Sequence, residues 1–498
     1  MSMPHRLKQR QEKIQAKRKQ TPWREFVMEI WSWFPLVLHR SWSHLSRFAP
    51  EADRIGEIID FDTYADWITQ KELEIWSSSS FFQQIQILFK STTLAGTKTI
   101  WQNENSVYND IILGAKNAYL NFVVLETNKA AYNYGVNKCD EVYNSLQILL
   151  SQNVYMSRAV TSSSNIFYCS NIQDSSDVRF CANMRWCTHC LFSSNLENKS
   201  YCIQNKQYNK SEYEDKKSSL LWKDKSQFLT ILESVLSINW SNTWDSIVWQ
   251  FNRNCSDIES WFFNFQVHEW RNVLFGAGTW DATQVYDVFS FWWTTTDHNY
   301  ACMWVWRNAS HVYCSVEASP SVNNCYYCYL VDTCSYCLGC IWLKNKSYCI
   351  FNKQYTKEAR YDKVDEIFVA MEAEWTLWDF FPGSMNPFYF NDTAAYLIDD
   401  SFNKEEVEAE WYLRRDEKIS VDIPEGMVVV KTSELADYES RVDEVRTIDP
   451  NILKKVIQDE EWNVYRIVKM EYDFLVKHWL PLPRLHWLDR LKMNFSIS

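Results

Sequence analysis

Glycine is nearly missing, at 9 residues in a chain of 498, where a usage of roughly 7% would supply about 35. Loops that cradle phosphates need glycine, and no Walker A loop is present. The nearest candidate, "GAGTW" at 276–280, lacks the G-x-G-x-x-G spacing and a surrounding βαβ period. Histidine is equally sparse, with nine scattered residues, and no H-E-x-x-H, G-x-S-x-G or Cys/His/Asn constellation appears. These gaps leave no catalytic residue to nominate. The apolar stretch "IWSWFPLVLH" at 30–39 is too short to span a bilayer and lies behind a polar segment unlike a signal peptide. The sequence therefore reads as a cytoplasmic protein with no membrane segment.

Positive charge is scarce overall. A net charge of −12 argues against a whole-surface affinity for nucleic acid or anionic lipid. One basic arm departs from this: Arg6, Lys8, Arg10, Lys13, Lys17, Arg18, Lys19 and Arg24 stand against the single acid Glu12. The arm reads as a solvated helix, with contact to phosphates as its functional alternative. Fifteen cysteines would suit a secreted disulfide framework, but the number is odd and no export signal is visible. Reduced thiols are the expectation.

Tryptophan fills the gap that glycine leaves, at 26 residues. It stands where chain reversal favours glycine: Trp411 after an acid-rich run, Trp462 inside "DEEWNVY" and Trp479 before "LPLPR". Only glycine visits positive φ cheaply. The expectation is a reading frame whose UGA codons natively encode glycine and are rendered here as tryptophan. Trp342, Trp411, Trp462 and Trp479 should then occupy exposed turns.

Stepping by 12 from Ala118 meets Ala130, Val142, Val154, Ile166, Val178, Cys190 and Cys202. A register six residues out meets Ile112, Val124, Val136, Ile148, Val160, Ile172, Met184 and Leu196. No α-helical stripe has that spacing. Two inward points per 12 residues describe a flattened coil with a short strand on each side, stacked on its neighbours. At roughly 3.3 Å per residue its perimeter is only about 40 Å, which favours Ala, Val, Ser and Cys inside. The cysteine spacings follow the same step, with Cys325, Cys337 and Cys349 in one column and Cys328 and Cys340 in another.

One phrase occurs twice: "CTHCLFSSNLENKSYCIQNKQY" at 187–208 and "CSYCLGCIWLKNKSYCIFNKQY" at 334–355. Further correspondences join "IWQNENS" at 100–106 to "VWQFNRNCS" at 248–256, and Phe82, Ile85 and Phe89 to Phe228, Ile231 and Val235. The expected fold is mainly β: two tandem parallel β-solenoids with coils of about 12 residues, helical caps and a small α/β C-terminal region. The expected boundaries are 1–58 for the basic arm, 59–99 and 216–247 for caps, 100–215 and 248–363 for solenoids, and 364–498 for the C-terminal region.

The strongest chemical signal is Cys325-x2-Cys328-x5-Cys334-x2-Cys337-x2-Cys340. On stacked rungs, Cys325, Cys328, Cys337 and Cys340 can converge as a zinc site with four thiolates; the alternative is a ladder of small buried thiols. The basic stretch carrying Lys477, His478, Arg484, His486, Arg490 and Lys492 reads as a strap laid on the solenoid, or else as a polyproline-like or phosphate-binding segment.

The segments "CLGCIWLKNKSYCIFNKQYTKE", "EWTLWDFFPGSMNPFYFNDT", "NKEEVEAEWYLRR" and "YRIVKMEYDFLVKHWLPLPRLH" resemble a group of uncharacterised cysteine-rich bacterial proteins, some automatically labelled CaiB/BaiF (CoA-transferase). Those proteins carry phrases like CFGCVGLRNKKYCILNKQY, GEWGEFFP and RKHGLPLPR. The resemblance is close over 325–393, fair over 402–415 and 462–486, and loose across the first half. It implies an architecture rather than a reaction, and it sets Trp342, Trp375, Trp378, Trp411, Trp462 and Trp479 on family glycines. Three functional readings follow. The leading one is a non-enzymatic binding or scaffold protein that presents solenoid faces to a macromolecular partner. The second is a zinc-stabilised nucleic-acid-associated protein, and the third an enzyme with a site between the duplicated halves.

Overall fold

The structure is a computed structural model that describes residues 23–41, 44–49, 53–59, 72–75, 78–97, 99–100, 102–221, 316–318, 322–377, 379–416, 423, 425–435 and 449–495. The chain is mainly β and divides into two interleaved compact units. One comprises 98–243 and 416–498; the other comprises 1–97 and 244–415. The expected 364–498 region is thus shared between units, and most of the expected 216–247 cap, the 248–315 stretch and residues 1–22 of the expected 1–58 arm, which hold all of its clustered cations but Arg24, lie outside the described residues.

In the 98–243 unit the chain winds a parallel β-solenoid of about eight turns, with two nine-stranded sheets formed by alternate strands. The twelve-residue register holds throughout: Val142 pairs with Val154, Val154 with Ile166, Ile166 with Val178, and Val178 with Cys190. The opposite sheet pairs Ile148 with Val160 and Val160 with Ile172. All of these side chains are buried in one interior cluster.

The coil has four corners where the sequence suggested two sides. Every third residue from Gln102 to Gln204 has positive φ, whatever its type, including Ile111 and Val123. The residue after each corner points inward. Two inward positions per turn are the apolar columns; the other two carry Ser, Thr, Asn, Cys or Ala, except at the exposed Lys199. These small polar groups hold successive turns together. Ser157 Oγ donates to the Tyr155 carbonyl at 2.8 Å and accepts the Cys169 amide, twelve residues on, at 3.0 Å. Ser145 accepts the Ser157 amide at 3.3 Å, and Asn133 accepts the Ser145 amide at 2.9 Å. Left-handed backbone disfavours most side chains, so this relay and the parallel ladder offset a strain repeated at every corner.

The duplicated phrase ends a coil stack in both places. In each, the last strand turns back as an antiparallel hairpin, Ser200–Ile203 with Lys206–Gln207 and Cys349–Ile350 with Lys353–Gln354. Both turn residues have positive φ, Gln204 and Asn205 in one and Phe351 and Asn352 in the other, as a tight hairpin turn requires. Asn205 accepts the Ser194 amide at 2.8 Å, and Asn352 the Ile341 amide at 2.9 Å. A helix follows each hairpin, Lys210–Leu221 or Lys357–Ala373.

On the first solenoid, residues 449–495 cover one side. Tyr143, Tyr155 and Phe167 of the coils share a cluster with Phe474, Leu475, Leu480 and Leu482. At its centre Arg490 meets Glu471 at 2.6 Å, both buried, while Asn144 and Tyr155 donate to the same carboxylate oxygen at 2.8 and 3.3 Å. The basic stretch is therefore a strap, with Tyr465 Oη donating to the Pro483 carbonyl at 2.7 Å.

In the other unit, bridges twelve residues apart link Asn323 to Ser335, Tyr326 to Leu338, Ser335 to Ser347 and Leu338 to Ile350. The helix Phe81–Ser91 packs here, with Phe81 at 4.9 Å from Tyr327 and 5.6 Å from Phe351. Its apolar face meets the coils of its own unit, where Gly339 leaves the room: a Cβ there would lie 2.7 Å from the Phe351 ring and 3.4 Å from Ile85. The first described rung of the first solenoid keeps Val107 and Tyr108 exposed. Asp392 anchors a second junction in this unit, 2.6 Å from Arg415 and 3.3 Å from His39.

Three outcomes follow. Replacing Ser157 by Ala strands the Cys169 amide and should cost about 1–3 kcal/mol, while Ser157→Cys should cost less, because cysteine already serves in that column; urea unfolding measures both. Glu471→Ala leaves Arg490 buried and unpaired, and the unfolding free energy should fall by about 3–5 kcal/mol. Burial raises the pKa of Asp392, but hydrogen bonds from His39 and Arg415 outweigh it and hold it below its ordinary value. Its contribution is therefore complete above the unfolded pKa and lost as pH falls through the lower folded value. Below about pH 4 the urea midpoint should drop, and Asp392→Asn should flatten that limb.

Candidate functional site

The corner columns decide what the cysteines do. All twelve described cysteines are free and buried. Cys139, Cys169 and Cys187 donate to the carbonyls of Asn137, Phe167 and Arg185 at 3.0, 3.2 and 3.2 Å, the bond that Ser157 makes. Sulfur also takes the acceptor role, as the Ser151 amide donates to Cys139, the Ser193 amide to Cys181 and the Asn352 amide to Cys340, at 3.3–3.4 Å. Burial pushes the Cys139 and Cys169 thiols up to about 12. Such thiols are poor nucleophiles at neutral pH.

The structure brings Cys325, Cys328, Cys337 and Cys340 together on two stacked rungs. Cys325 contacts Cys328 and Cys337, and Cys340 contacts Cys328 and Cys337, which closes a ring of four sulfurs. Burial raises Cys325, Cys328 and Cys340. Cys337 is lowered, first by the hydrogen bond from Cys325 and then by those from Cys334, Cys340 and Cys349. Each ring sulfur is nevertheless aimed at a backbone carbonyl: Cys325 at Asn323, Cys328 at Tyr326, Cys337 at Ser335 and Cys340 at Leu338, at 3.3–3.5 Å. Among the described residues, no group of three or more His, Cys, Asp or Glu is arranged to hold a metal ion.

Cys187 and Cys190 form a second thiol pair. A hydrogen bond from Cys190 lowers Cys187 to about 7, and Cys190 rises in return. Cys202 stacks on Cys190 in the next rung, whereas His189 points outward and stacks on Tyr201 at 5.0 Å. The imidazole is no ligand to this pair.

A cavity of about 350 Å³ in the 98–243 and 416–498 unit is lined by Arg179, Glu214, Lys217, Lys477, His478 and Trp479. Burial, then Lys477 and Arg179, hold His478 down at about 4, so it is neutral at pH 7. Its ring lies 4.4 Å from Phe474 and 5.1 Å from Phe167, and it serves as a packing group. Lys217 pairs with Glu214 and Lys477 with Glu141.

The exposed side of the solenoid carries the repeated chemistry. Gln152, Ser164, Ser176, Thr188 and Ser200 succeed one another in register. Beside them Asn153 donates to Asn165 and Asn165 to Asp177, both at 2.9 Å. None of these side chains is buried. The chain matches no protein-family model, no curated protein and no solved structure.

Sequence reasoning placed the apolar columns and missed the polar corner columns and the pair Glu471 and Arg490. A signal for the corners was present: Asn117, Asn153, Asn165, Asn171, Asn183 and Asn195 fall on the three-residue step, and asparagine tolerates left-handed backbone better than most residues. Purified recombinant protein, analysed by elemental mass spectrometry, should carry zinc far below one ion per chain. Its twelve described thiols should react with a thiol reagent only after denaturation.

Proposed function

We propose that the chain is a non-enzymatic binding scaffold whose polar ladder face docks a macromolecular partner. The observation that carries this reading is the division of labour around the first solenoid. Its aromatic side is occupied by residues 449–495, its interior by backbone relays, and the Gln/Ser/Thr column with its Asn/Asp neighbour is left at least partly exposed at a fixed twelve-residue register. A stiff, regular array of hydrogen-bonding groups spaced by about 4.8 Å suits an extended partner, and solenoids use such surfaces for binding.

The twelve-residue bridges from Asn323 to Ile350 and the second hairpin-and-helix ending support a second, tandem solenoid that closes at 355. The buried, free thiols are in keeping with a cytoplasmic setting. Among the described residues no helix is long and apolar enough to cross a membrane.

Cross-linking mass spectrometry on native extracts should place partner links along 140–201. Ser164→Arg with Thr188→Arg should abolish those links and leave the urea midpoint within error. Links confined to other segments, or unchanged by the double variant, would contradict the proposal.

A further inference from the structure

Inside the coils positive φ is imposed on every residue type, so it says nothing about Trp186 or Trp342. Outside the coils the described residues include four non-glycine positions with positive φ, and all four are tryptophan: Trp375 at 61°, Trp411 at 63°, Trp462 at 69° and Trp479 at 61°.

Three of them end helices with one shared pattern. The Trp375 amide donates to the Glu372 carbonyl at 3.2 Å, and the next amide, Thr376, to Met371 at 3.0 Å. The Trp411 amide reaches Glu408 at 3.0 Å, and Tyr412 reaches Val407 at 3.1 Å. For Trp479 the pair is Val476 at 3.4 Å and Leu475, from Leu480, at 2.9 Å. This is the Schellman motif, whose left-handed position belongs most often to glycine. The fourth, Trp462, closes the hairpin between Val456–Gln458 and Val464–Tyr465, donating to the Asp459 carbonyl at 3.2 Å, another left-handed turn position that favours glycine.

These four side chains are far less buried than the tryptophans of the core. Trp375, Trp411, Trp462 and Trp479 are 88, 72, 77 and 38% exposed. Trp31 and Trp33 are 3 and 1% exposed, and Trp33 lies within 5.5–6.4 Å of Tyr329, Phe380, Phe381 and Phe388. Trp487 stacks on Tyr132 at 5.9 Å. Two populations share one letter: one fills cores with negative φ, the other sits in solvent in glycine's conformation.

We infer that positions 375, 411, 462 and 479 are glycine in the native protein, encoded by UGA, whereas Trp31, Trp33 and Trp487 are tryptophan encoded by UGG. UGA differs from UGG at the third base and from the glycine codon GGA at the first, so one reassigned codon accounts for both the shortage and the surplus. The exposed indoles then drop out as a docking surface.

Peptide mass spectrometry of the protein from its native source tests this. Glycine at all four turn positions, with tryptophan kept at 31, 33 and 487, is the expected result. Tryptophan at any of the four turns, or glycine at 33, overturns it. Recombinant protein gives an independent readout, because each of Trp375→Gly, Trp411→Gly, Trp462→Gly and Trp479→Gly should raise the urea midpoint and Trp33→Gly should lower it. A lowered midpoint in the four turn variants contradicts the assignment.

Discussion

The fold depends on how a twelve-residue turn of chain closes on itself. Four left-handed corners per turn aim four side chains inward, and the interior is narrow enough that two of the four must be small groups able to serve the backbone. A hydroxyl, an amide or a thiol at these places gives a proton to the carbonyl two residues back and receives the amide of the turn above. Buried backbone groups must be paired, so the relay does at the corners what the parallel ladder does along the flat sides. Cysteine enters as one solution among several to that geometric demand.

This explains why motif reasoning about the cysteines pulls in two directions. Three-residue spacing between corners produces C-x2-C, and twelve-residue stacking sets one such pair over another, so the zinc-site pattern of Cys325, Cys328, Cys337 and Cys340 is generated by the coil itself. Their convergence follows from stacking and their orientation from the relay. Cys340 and Ser193 occupy matching places in the two hairpin endings, and each accepts the amide of an asparagine, Asn352 or Asn205. At this point serine and cysteine serve the backbone alike.

Much of the solenoid was legible in the sequence because stacking writes a fixed period into the apolar positions. Val142, Val154, Ile166 and Val178 stand in register as that period requires. The corners were hidden because their small polar residues resemble ordinary loop composition. The partners across units of sequence were hidden for a different reason: Glu471 meets Asn144, and Phe81 meets Tyr327, contacts between segments hundreds of residues apart that leave no local periodicity. The duplicated phrase was visible, while its role as a coil-ending hairpin needed the backbone.

The period itself is open to direct test by deletion. Removing 164–175 takes out one whole turn and leaves every remaining column in register, whereas removing 164–173 takes out nearly the same surface and shifts each corner into a side. Circular dichroism with urea unfolding of the two variants should show a single cooperative transition and a native sheet signal for the twelve-residue deletion, and loss of both for the ten-residue one. Equal behaviour of the two deletions would contradict a coil of twelve.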